Sequence, residues 1–222
     1  MYYSIIIPLY DEIRTVKKLL AELDYFYKQG HEVLIIDDGS TDGSSDILKD
    51  CSFIELKTLT INKGKGYAIK KGIKYSKHKK IIIYDSDLEL DITEIKRLMI
   101  LDKVAGINSA MGIRHKSINP FKSGLNWGNF IFNVFFNLLN NSCHKDILCC
   151  AKSFYVEDIP LNKLRSNGFD IDVELASFLT KNNKRKKIIQ IPLKYTRRSI
   201  NEGKKLKILD GWIILKRILS IL

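Results

Sequence analysis

Two aspartates separated by one residue give the clearest chemical signal in this sequence. Asp85 and Asp87 follow three consecutive isoleucines, an apolar run typical of a buried strand. On extended backbone, residues i and i+2 point to the same side, so the two carboxylates converge and Glu89 continues on that side. Because Mg²⁺ and Mn²⁺ prefer such oxygen ligands, we predict a metal site at Asp85, Asp87 and Glu89. An acidic turn is the plainer alternative, since a D-x-D spacing is common by chance.

Two further polar clusters, an aspartate pair and a glycine-rich loop, lie earlier in the chain. Asp37 and Asp38 follow residues 33–36, and a carboxylate at a strand end can accept hydrogen bonds from a ribose hydroxyl or a base N–H. The alternative for this pair is ordinary turn chemistry. Residues 62–66 form a glycine-rich loop that could cradle phosphate at a helix N-terminus. The loop fits neither the P-loop nor the dinucleotide fingerprint, so alone it does not identify a phosphate site.

Strands and helices must alternate to position these clusters. Apolar runs predict strands at 3–8, 32–36, 53–59 and 80–84, and apolar stripes with steps of three and four predict helices at 13–27, 45–49 and 66–75. This alternation indicates an α/β fold whose parallel sheet is covered on both faces. The polar clusters then fall at the carboxyl ends of the strands, where such sheets bind ligands.

The second half of the chain has a less regular pattern. It predicts helices at 91–101, 123–140, 171–180 and 208–222, and strands at 104–113, 148–154 and 187–195. We expect the aromatic-rich helix at 123–140 to lie in the core. Because no repeat or linker interrupts the chain, we expect one catalytic domain over residues 1–222, ending in an amphipathic helix at about 207–222.

The charge balance predicts a polyanionic partner. The 222 residues include 37 Lys and Arg against 25 Asp and Glu, a net charge of +12. Nucleic acid, phosphate-bearing substrates and an anionic membrane all fit this excess. A hydrophobic fraction of 45% excludes disorder, and the sequence shows neither a long apolar span nor a secretory signal. The cysteines and His144 between residues 143 and 150 lack the usual zinc spacing, so we expect reduced core thiols.

Taken together, the motifs resemble the inverting family 2 glycosyltransferases with the GT-A fold. The resemblance is carried by residues 4–12, 36–43, 62–66 and 85–87. Within the family the chain is more similar to dolichyl- and polyprenyl-phosphate sugar synthases, through 146–152, 168–175, Arg198, 202–205 and 210–211. The resemblance implies a Rossmann-like, mostly parallel central sheet flanked by helices. It also implies metal-dependent transfer of a hexose from a GDP- or UDP-sugar to a polyprenyl phosphate, with Mg²⁺ or Mn²⁺.

The resemblance also implies roles for individual residues. Arg198 would contact the diphosphate, Arg114 would meet the acceptor phosphate, and Lys205 would close over the site as a second acceptor-phosphate residue. Asp85, Asp87 and Glu89 would hold the metal. The implied nucleotide-binding residues are Pro8, Tyr10, Glu12, Asp37, Asp38, Lys65, Asp85 and Ser86. At 148–151 the sequence differs from relatives that carry a threonine and an aromatic residue, which leaves the floor of the sugar site open.

The acceptor decides whether the reaction needs a general base. A phosphate monoester is already ionised at neutral pH, whereas a sugar hydroxyl must lose its proton to a carboxylate within hydrogen-bond reach. We therefore take Asp146 and Asp172 as candidate catalytic residues beside Asp87 and Arg198, with Glu174 as a third base candidate. The alternative for Asp172 and Glu174 is a carboxylate at a helix N-terminus, which the helix dipole favours.

Two other functions remain open from sequence. The same fold could transfer sugar to a hydroxyl of a cell-surface glycan, or the basic chain could be a nucleic-acid-binding module. The acidic clusters and the lack of a nucleic-acid motif oppose the second, so we expect no nucleic-acid partner. We expect a cytoplasmic protein that lies peripherally on the inner face of the membrane. Its basic C-terminal helix could bind that surface, the protein core or a dimer partner.

Overall fold

The computed structural model describes residues 2–114, 124–182, 187–198, 205 and 208–220. Within these residues the strands are β1 Tyr3–Leu9, β2 Glu32–Asp37, β3 Glu55–Thr58, β4 Lys80–Ile83, β5 Ile107–Ile113, β6 Lys152–Tyr155 and β7 Lys187–Pro192. The α helices are α1 Val16–Lys28, α2 Ser44–Lys49, α3 Lys65–Tyr75, α4 Gly124–Asn140, α5 Ile171–Asn182 and α6 Ile208–Ser220.

The strands form one mixed sheet in the order β3-β2-β1-β4-β6-β5-β7. The pairs β3–β2, β2–β1, β1–β4 and β5–β7 are parallel, whereas β6 runs antiparallel to both of its neighbours. The predicted mostly parallel α/β sheet is confirmed. Because β1, β2 and β4 run in the same direction, their carboxyl ends meet at one edge, which brings the polar clusters of the first half together.

Continuous apolar strands are buried here because helices cover both faces of the sheet. Every residue of β1, β2 and β4 is buried. Val16, Leu19 and Leu23 of α1 pack with one face of the sheet, and α3 and α5 contribute to a second core cluster. The strands are thus held by apolar contacts on both sides, which leaves their carboxyl ends fixed in place.

Two elements of the second half differ from the sequence-based expectation. Residues 92–98 form a 3-10 helix rather than an α helix, after Asp91 accepts a hydrogen bond from the Thr93 backbone N–H at 2.9 Å. The strand predicted at 148–154 begins only at Lys152. Before it, the chain turns tightly, with the Cys149 N–H bonded to the Asp146 carbonyl at 3.3 Å.

The expectation that the aromatic helix lies in the core is only partly right. Phe136 of α4 is fully buried, and Phe132 packs partly against the same core cluster. The opposite side of α4 is exposed to solvent and apolar, with six such residues: Trp127, Phe130, Ile131, Val134, Phe135 and Leu138. Asn133 and Asn137 of α4 fall on the packed side, where Asn133 is buried and Asn137 donates to the His144 carbonyl, so sequence polarity could not identify the open side. Across the described residues, every helix is too short or too polar to cross a bilayer.

The loop after α4 contains a buried histidine whose titration should affect stability. The Thr180 hydroxyl donates to the Ala176 carbonyl, so His144 Nε2 must donate to Thr180 Oγ1, at 2.8 Å. Nδ1 of His144 is buried and has no hydrogen-bond partner among the described residues. Burial, together with the nearby Lys152 charge, lowers the pKa of His144 to about 4.

We expect the free energy of unfolding to fall as pH drops from about 6.5 to about 4. The unfolded chain takes up a proton at His144 in this window and the folded chain does not, which costs about 2 kcal/mol at pH 5 relative to pH 7.5. Urea unfolding of the wild type and of His144→Gln at both pH values measures this loss. Because other groups also titrate, the result that counts is the difference between the two proteins. An equal pH dependence in both would contradict the assignment.

Candidate functional site

A cavity of about 960 Å³ opens at the carboxyl ends of β1, β2 and β4. Its walls include the end of β1, the residues just after β2 and β4, the 62–66 loop, α5, and the basic residues Arg197, Arg198 and Lys205. Thirteen of the residues proposed from sequence line it: Pro8, Tyr10, Glu12, Asp38, Lys65, Asp85, Ser86, Asp87, Glu89, Arg114, Asp172, Arg198 and Lys205. Asp37 and Asp146 do not belong to the lining.

The segment after β4 brings several carboxylates close together. Asp85 is paired with Lys65, whose Nζ lies 2.9 Å from Asp85 Oδ1. Asp87 accepts a hydrogen bond from the Glu89 backbone N–H at 3.0 Å. Burial, and then the neighbouring charge of Asp85, raises the pKa of Asp87 to about 6. Both causes disfavour the ionised form of Asp87, and a cation bound beside Asp85 and Asp87 would offset them.

The predicted set of three metal ligands is not preassembled. Glu89 accepts a hydrogen bond from the Arg198 backbone N–H at 3.0 Å. No group of three His, Cys, Asp or Glu side chains in the described ranges is placed to hold a metal by itself. Asp85 and Asp87 still fit a divalent ion that takes its remaining oxygens from a bound diphosphate, as Mg²⁺ commonly does. Their crowded negative charge is the feature that such an ion would relieve.

The two aspartates at the carboxyl end of β2, Asp37 and Asp38, have different roles. Asp38 lines the cavity and fixes the glycine-rich loop, accepting hydrogen bonds from the backbone N–H groups of Lys63 at 2.8 Å and Gly64 at 2.7 Å. Gly64 has φ +96°, and a Cβ there would lie 2.3 Å from the Asn167 carbonyl oxygen, so the loop requires glycine. Asp37 is fully buried.

The contacts of Asp37 are those of a turn. Its carboxylate accepts from the Ser40 backbone N–H at 3.0 Å and from the Ser45 hydroxyl. It therefore stabilises the 37–45 turn from behind and does not face the cavity, which corrects its placement among the nucleotide-contacting residues. The turn alternative raised from sequence accounts for Asp37.

Glu12 links the start of the chain to its basic C-terminal region. Its two oxygens accept from both terminal nitrogens of Arg198, at 2.9 and 3.0 Å. Lys205 also contacts Glu12, at 2.7 Å, and donates to the Tyr10 carbonyl. A bidentate arginine–carboxylate pair has defined geometry. Two cations are thereby held at the rim of the cavity, where a phosphate-bearing ligand would meet them.

Two lysines hold Asp172 at the floor of the cavity. Lys65 Nζ lies 3.1 Å from Asp172 Oδ2, and the fully buried Lys152 lies 3.4 Å from Asp172 Oδ1. Burial alone would raise the pKa of Asp172, but the charges of Lys65 and Lys152 outweigh it and lower the pKa. Because Lys65 also contacts Asp85, Asp172 helps to position the Lys65 ammonium group beside the D-x-D segment.

Asp146 lies behind Arg114. The pair is bidentate, with Nη2 2.7 Å from Oδ1 and Nε 2.8 Å from Oδ2, and the Arg114 backbone N–H adds a third contact at 3.0 Å. Burial by itself would raise the pKa of Asp146, but the Arg114 guanidinium outweighs it and holds the pKa below its usual range. Arg114 reaches the cavity and Asp146 anchors it from the protein side.

Several lining residues were not identified as site residues from sequence. They lie mainly on the second half of the chain: Asn129, Leu148, Phe169, Arg197, Asp210 and Ile214. Phe169, Arg197 and Asp210 stood inside or next to the motifs already noted. For Asn129 and Ile214 the sequence carried no signal, because only the packing of α4 and α6 brings them to the cavity.

The chain is similar in sequence to sugar transferases. The family model described as "Glycosyl transferase family 2" matches residues 4–154. Glycosyltransferase AglJ of Haloferax volcanii is 28% identical over 176 residues, which cover 78% of this chain and 56% of AglJ. Undecaprenyl-phosphate 4-deoxy-4-formamido-L-arabinose transferase of Aeromonas hydrophila is 34% identical over 104 residues, 43% of this chain and 32% of that protein. The chain thus spans well under two thirds of the length of either relative.

Solved structures with low sequence identity share the fold. Glucosyl-3-phosphoglycerate synthase of Mycobacterium tuberculosis superposes with a TM-score of 0.75 at 16% identity, covering 99% of this chain and 80% of that one. The same enzyme in complex with Mn²⁺, UDP-glucose and phosphoglyceric acid gives a TM-score of 0.72 at 15% identity, covering 99% and 79%. At such identities the likeness establishes the architecture alone.

Proposed function

Because the chain belongs to glycosyl transferase family 2, we propose that it transfers a hexose from a nucleotide-sugar to a polyprenyl phosphate, with inversion. An acceptor phosphate oxygen attacks the anomeric carbon while the bond from that carbon to the diphosphate breaks. The products are a lipid-phosphate sugar and a nucleoside diphosphate. The transfer needs no proton to be removed from the nucleophile, since the phosphate is already ionised.

The contacts of the three candidate bases, and the pKa values of two of them, support a phosphate acceptor. Asp146 and Asp172 are ion-paired and have lowered pKa values, so they are poor proton acceptors. Glu174 accepts from the backbone N–H groups of Arg165 and Ser166, each at 2.9 Å, and does not line the cavity. All three carboxylates advanced as bases are thus engaged in structural contacts. A nucleophile that needs no base fits this arrangement better than a sugar hydroxyl does.

The donor side of the proposal rests on charge. Asp85 and Asp87 would hold Mg²⁺ or Mn²⁺, which would neutralise negative charge on the departing diphosphate. Arg198 would bind the same diphosphate, and Asp38, with the loop that it fixes, would contact the nucleoside. The M. tuberculosis synthase bound to Mn²⁺ and UDP-glucose supports a UDP-sugar as the first donor to test.

The acceptor side rests on Arg114. Asp146 fixes this guanidinium by two hydrogen bonds and the Arg114 backbone by a third, so little side-chain entropy is lost when Arg114 binds a phosphate. The relatives acting on undecaprenyl phosphate, together with the dolichyl-phosphate beta-glucosyltransferase of Mus musculus, which is 30% identical over 109 residues, support a lipid phosphate. These matches cover 43% of this chain and about a third of each relative.

Transfer assays with radiolabelled donors test the proposal. The protein would be incubated with UDP- and GDP-hexoses, Mn²⁺ and a polyprenyl phosphate in detergent, and lipid-linked sugar would be extracted into organic solvent. A thermal-shift panel of the same donors selects the nucleotide, since a ligand at 100 times its Kd adds about 2.7 kcal/mol to stability. If none of the donors yields lipid-linked sugar while one of them glycosylates a glycan hydroxyl, the acceptor assignment is wrong.

Arg198→Ala should reduce turnover more than donor binding. The charge on the leaving diphosphate is largest in the transition state, so a guanidinium placed there stabilises that state most. We expect kcat to fall about 10²-fold and donor Kd to change by only a few-fold. Single-turnover rates and donor titrations separate the two quantities. Arg14→Ala, an exposed arginine that does not line the cavity, is the matched control. A loss confined to donor affinity would refute the role.

A further inference from the structure

Helices α4 and α6 together present an exposed apolar surface. On α4 the exposed residues recur with steps of three and four along one side: Trp127, Phe130, Ile131, Val134, Phe135 and Leu138. On α6 they are Trp212, Ile213 and Leu219. We call this surface the α4–α6 face. Leu138 is 75% exposed and Trp212 70%, and so large a group of open apolar residues is typical of an interaction surface rather than of ordinary protein surface.

The two helices are held side by side by their inner faces. Phe136 of α4 and Ile214 and Ile218 of α6 are buried in one core cluster. A Cβ at Gly211 of α6 would lie 3.8 Å from Cζ of Phe132 of α4, so the helices pack closely at this point. The exposed residues are therefore additional to the core, and burial within the described fold does not account for them.

Lys216 is the exposed charge on α6 among the described residues, whereas the acidic Asp210 of the same helix lines the cavity. The sequence contains no acidic residue between Asp102 and Asp146, a stretch that includes all of α4. In sequence, the stretch from Gly203 to Lys207 that leads into α6 contains three lysines and no acidic residue. A second copy docked symmetrically on this face would bring like charges together. An anionic lipid surface would instead attract the basic residues while it receives the apolar ones.

The residue types also fit a bilayer interface. Tryptophan is enriched at the headgroup level of membranes, and each helix exposes one. Helix α4 has 17 residues with no charge, which is about 25 Å of helix and shorter than a bilayer core. A helix of this kind lies in the interface plane with its apolar side among the acyl chains. We infer that the α4–α6 face docks on an anionic lipid bilayer.

Docking in this orientation would place the cavity next to the lipid. Asn129 of α4 and Asp210 and Ile214 of α6 line the cavity, so the same two helices bound both the cavity and the face. This part rests on the proposed function: a polyprenyl phosphate could present its phosphate to Arg114 while its chain remains in the membrane. The docking itself requires no acceptor, which allows the two ideas to be tested separately.

Vesicle co-sedimentation tests the docking. The full chain would be mixed with vesicles of phosphatidylcholine alone, or of phosphatidylcholine with phosphatidylglycerol, without donor or polyprenyl phosphate. We expect the wild type to sediment with the anionic vesicles. For Phe130→Ser combined with Phe135→Ser, we expect the partition coefficient to fall at least about tenfold. The matched control is Tyr25→Ser combined with Tyr27→Ser, two exposed aromatic residues on α1, and it should bind as the wild type does.

Three outcomes would overturn the inference. The first is that the wild type fails to sediment with the vesicles, and the second is that the Phe130/Phe135 variant binds them as well as the control does. The third is that light scattering shows a dimer for the wild type and the control but a monomer for the Phe130/Phe135 variant. The last result would make a second copy the occupant of the face. Thermal unfolding checks that both variants fold. Transfer in detergent should continue in the Phe130/Phe135 variant, so loss of vesicle binding with intact transfer separates docking from catalysis.

Discussion

Asp87→Asn should strongly reduce sugar transfer and at the same time make the folded protein more stable. Substitution removes a carboxylate that we propose holds the metal against the diphosphate, and losing such charge stabilisation costs about 10²–10³-fold in kcat. The same carboxylate lies beside Asp85, and its pKa is raised to about 6 by burial and by that neighbour. An ionised group with a raised pKa opposes folding, so the amide relieves a cost that the wild type carries.

The pH dependence of this effect has a defined sign. The folded carboxyl binds its proton up to about pH 6, whereas the unfolded one releases it near pH 3.8. The cost to the wild type is therefore absent below about pH 3.8, grows through pH 6, and is full above it, at about 2–3 kcal/mol. Unfolding of the wild type and Asp87→Asn at pH 4.5 and 7.5, without added metal, measures it. The variant should gain more at the higher pH.

An exposed aspartate serves as the control for Asp87. Asp46 forms a surface pair with Lys49, and its side chain is 80% exposed, so Asp46→Asn should change neither turnover nor stability by much. Normal turnover of Asp87→Asn at saturating Mn²⁺ or Mg²⁺ would contradict the metal role. Lost turnover with an unchanged response to metal in thermal shift would place the metal elsewhere.

Asp172→Asn should have the largest effect on stability. The substitution leaves Lys65 and Lys152 without the carboxylate that both contact, and Lys152 is fully buried. Breaking a buried ion pair by removal of one partner costs about 3–5 kcal/mol, because the remaining charge is uncompensated. Denaturant unfolding at neutral pH measures the loss. Transfer should also fall, since Lys65 would lose one of the two carboxylates that place it beside the D-x-D segment.

A double-mutant cycle separates the structural role of Asp172 from a role as a base. Lys152→Met combined with Asp172→Asn should cost less than the sum of the two single changes, because the uncompensated buried charge is gone. Glu157→Gln, which breaks the exposed pair with Lys103, is the control and should cost under about 1 kcal/mol. If Asp172→Asn unfolds like the wild type and yet loses turnover with an altered pH profile, Asp172 acts as the general base and the phosphate acceptor loses its main support.

The first half of the fold could be predicted from sequence because its signals are local. Strands β1, β2 and β4 are short apolar runs followed directly by polar residues, so their burial and direction follow from the pattern itself. Parallel strands bring their carboxyl ends to one edge by geometry alone. This is why the sequence alone assigns Tyr10, Asp38 and Asp85 to one site, and why they do line one cavity.

The contacts of the carboxylates could not be predicted from sequence in the same way. Asp37 and Asp38 are adjacent, yet one stabilises a turn and the other fixes a loop at the cavity. Asp146 and Asp172 appeared suited to general-base chemistry, but their partners Arg114, Lys65 and Lys152 are distant in sequence. An ion pair depends on where the fold places the cation, and this placement sets the pKa that decides between anchor and base.

By itself, the sequence determined the α/β architecture, the edge of the sheet that carries the site, and membership of a sugar-transferase family. These depend on periodicity and on short motifs, which act within a few residues. Only the tertiary structure decided which carboxylates are engaged by lysine or arginine and which side of α4 is open. Both are long-range outcomes of packing. Asn133 and Asn137 of α4 lie on its packed side because the 144–147 loop satisfies their polar groups there, whereas polarity alone would place them in solvent.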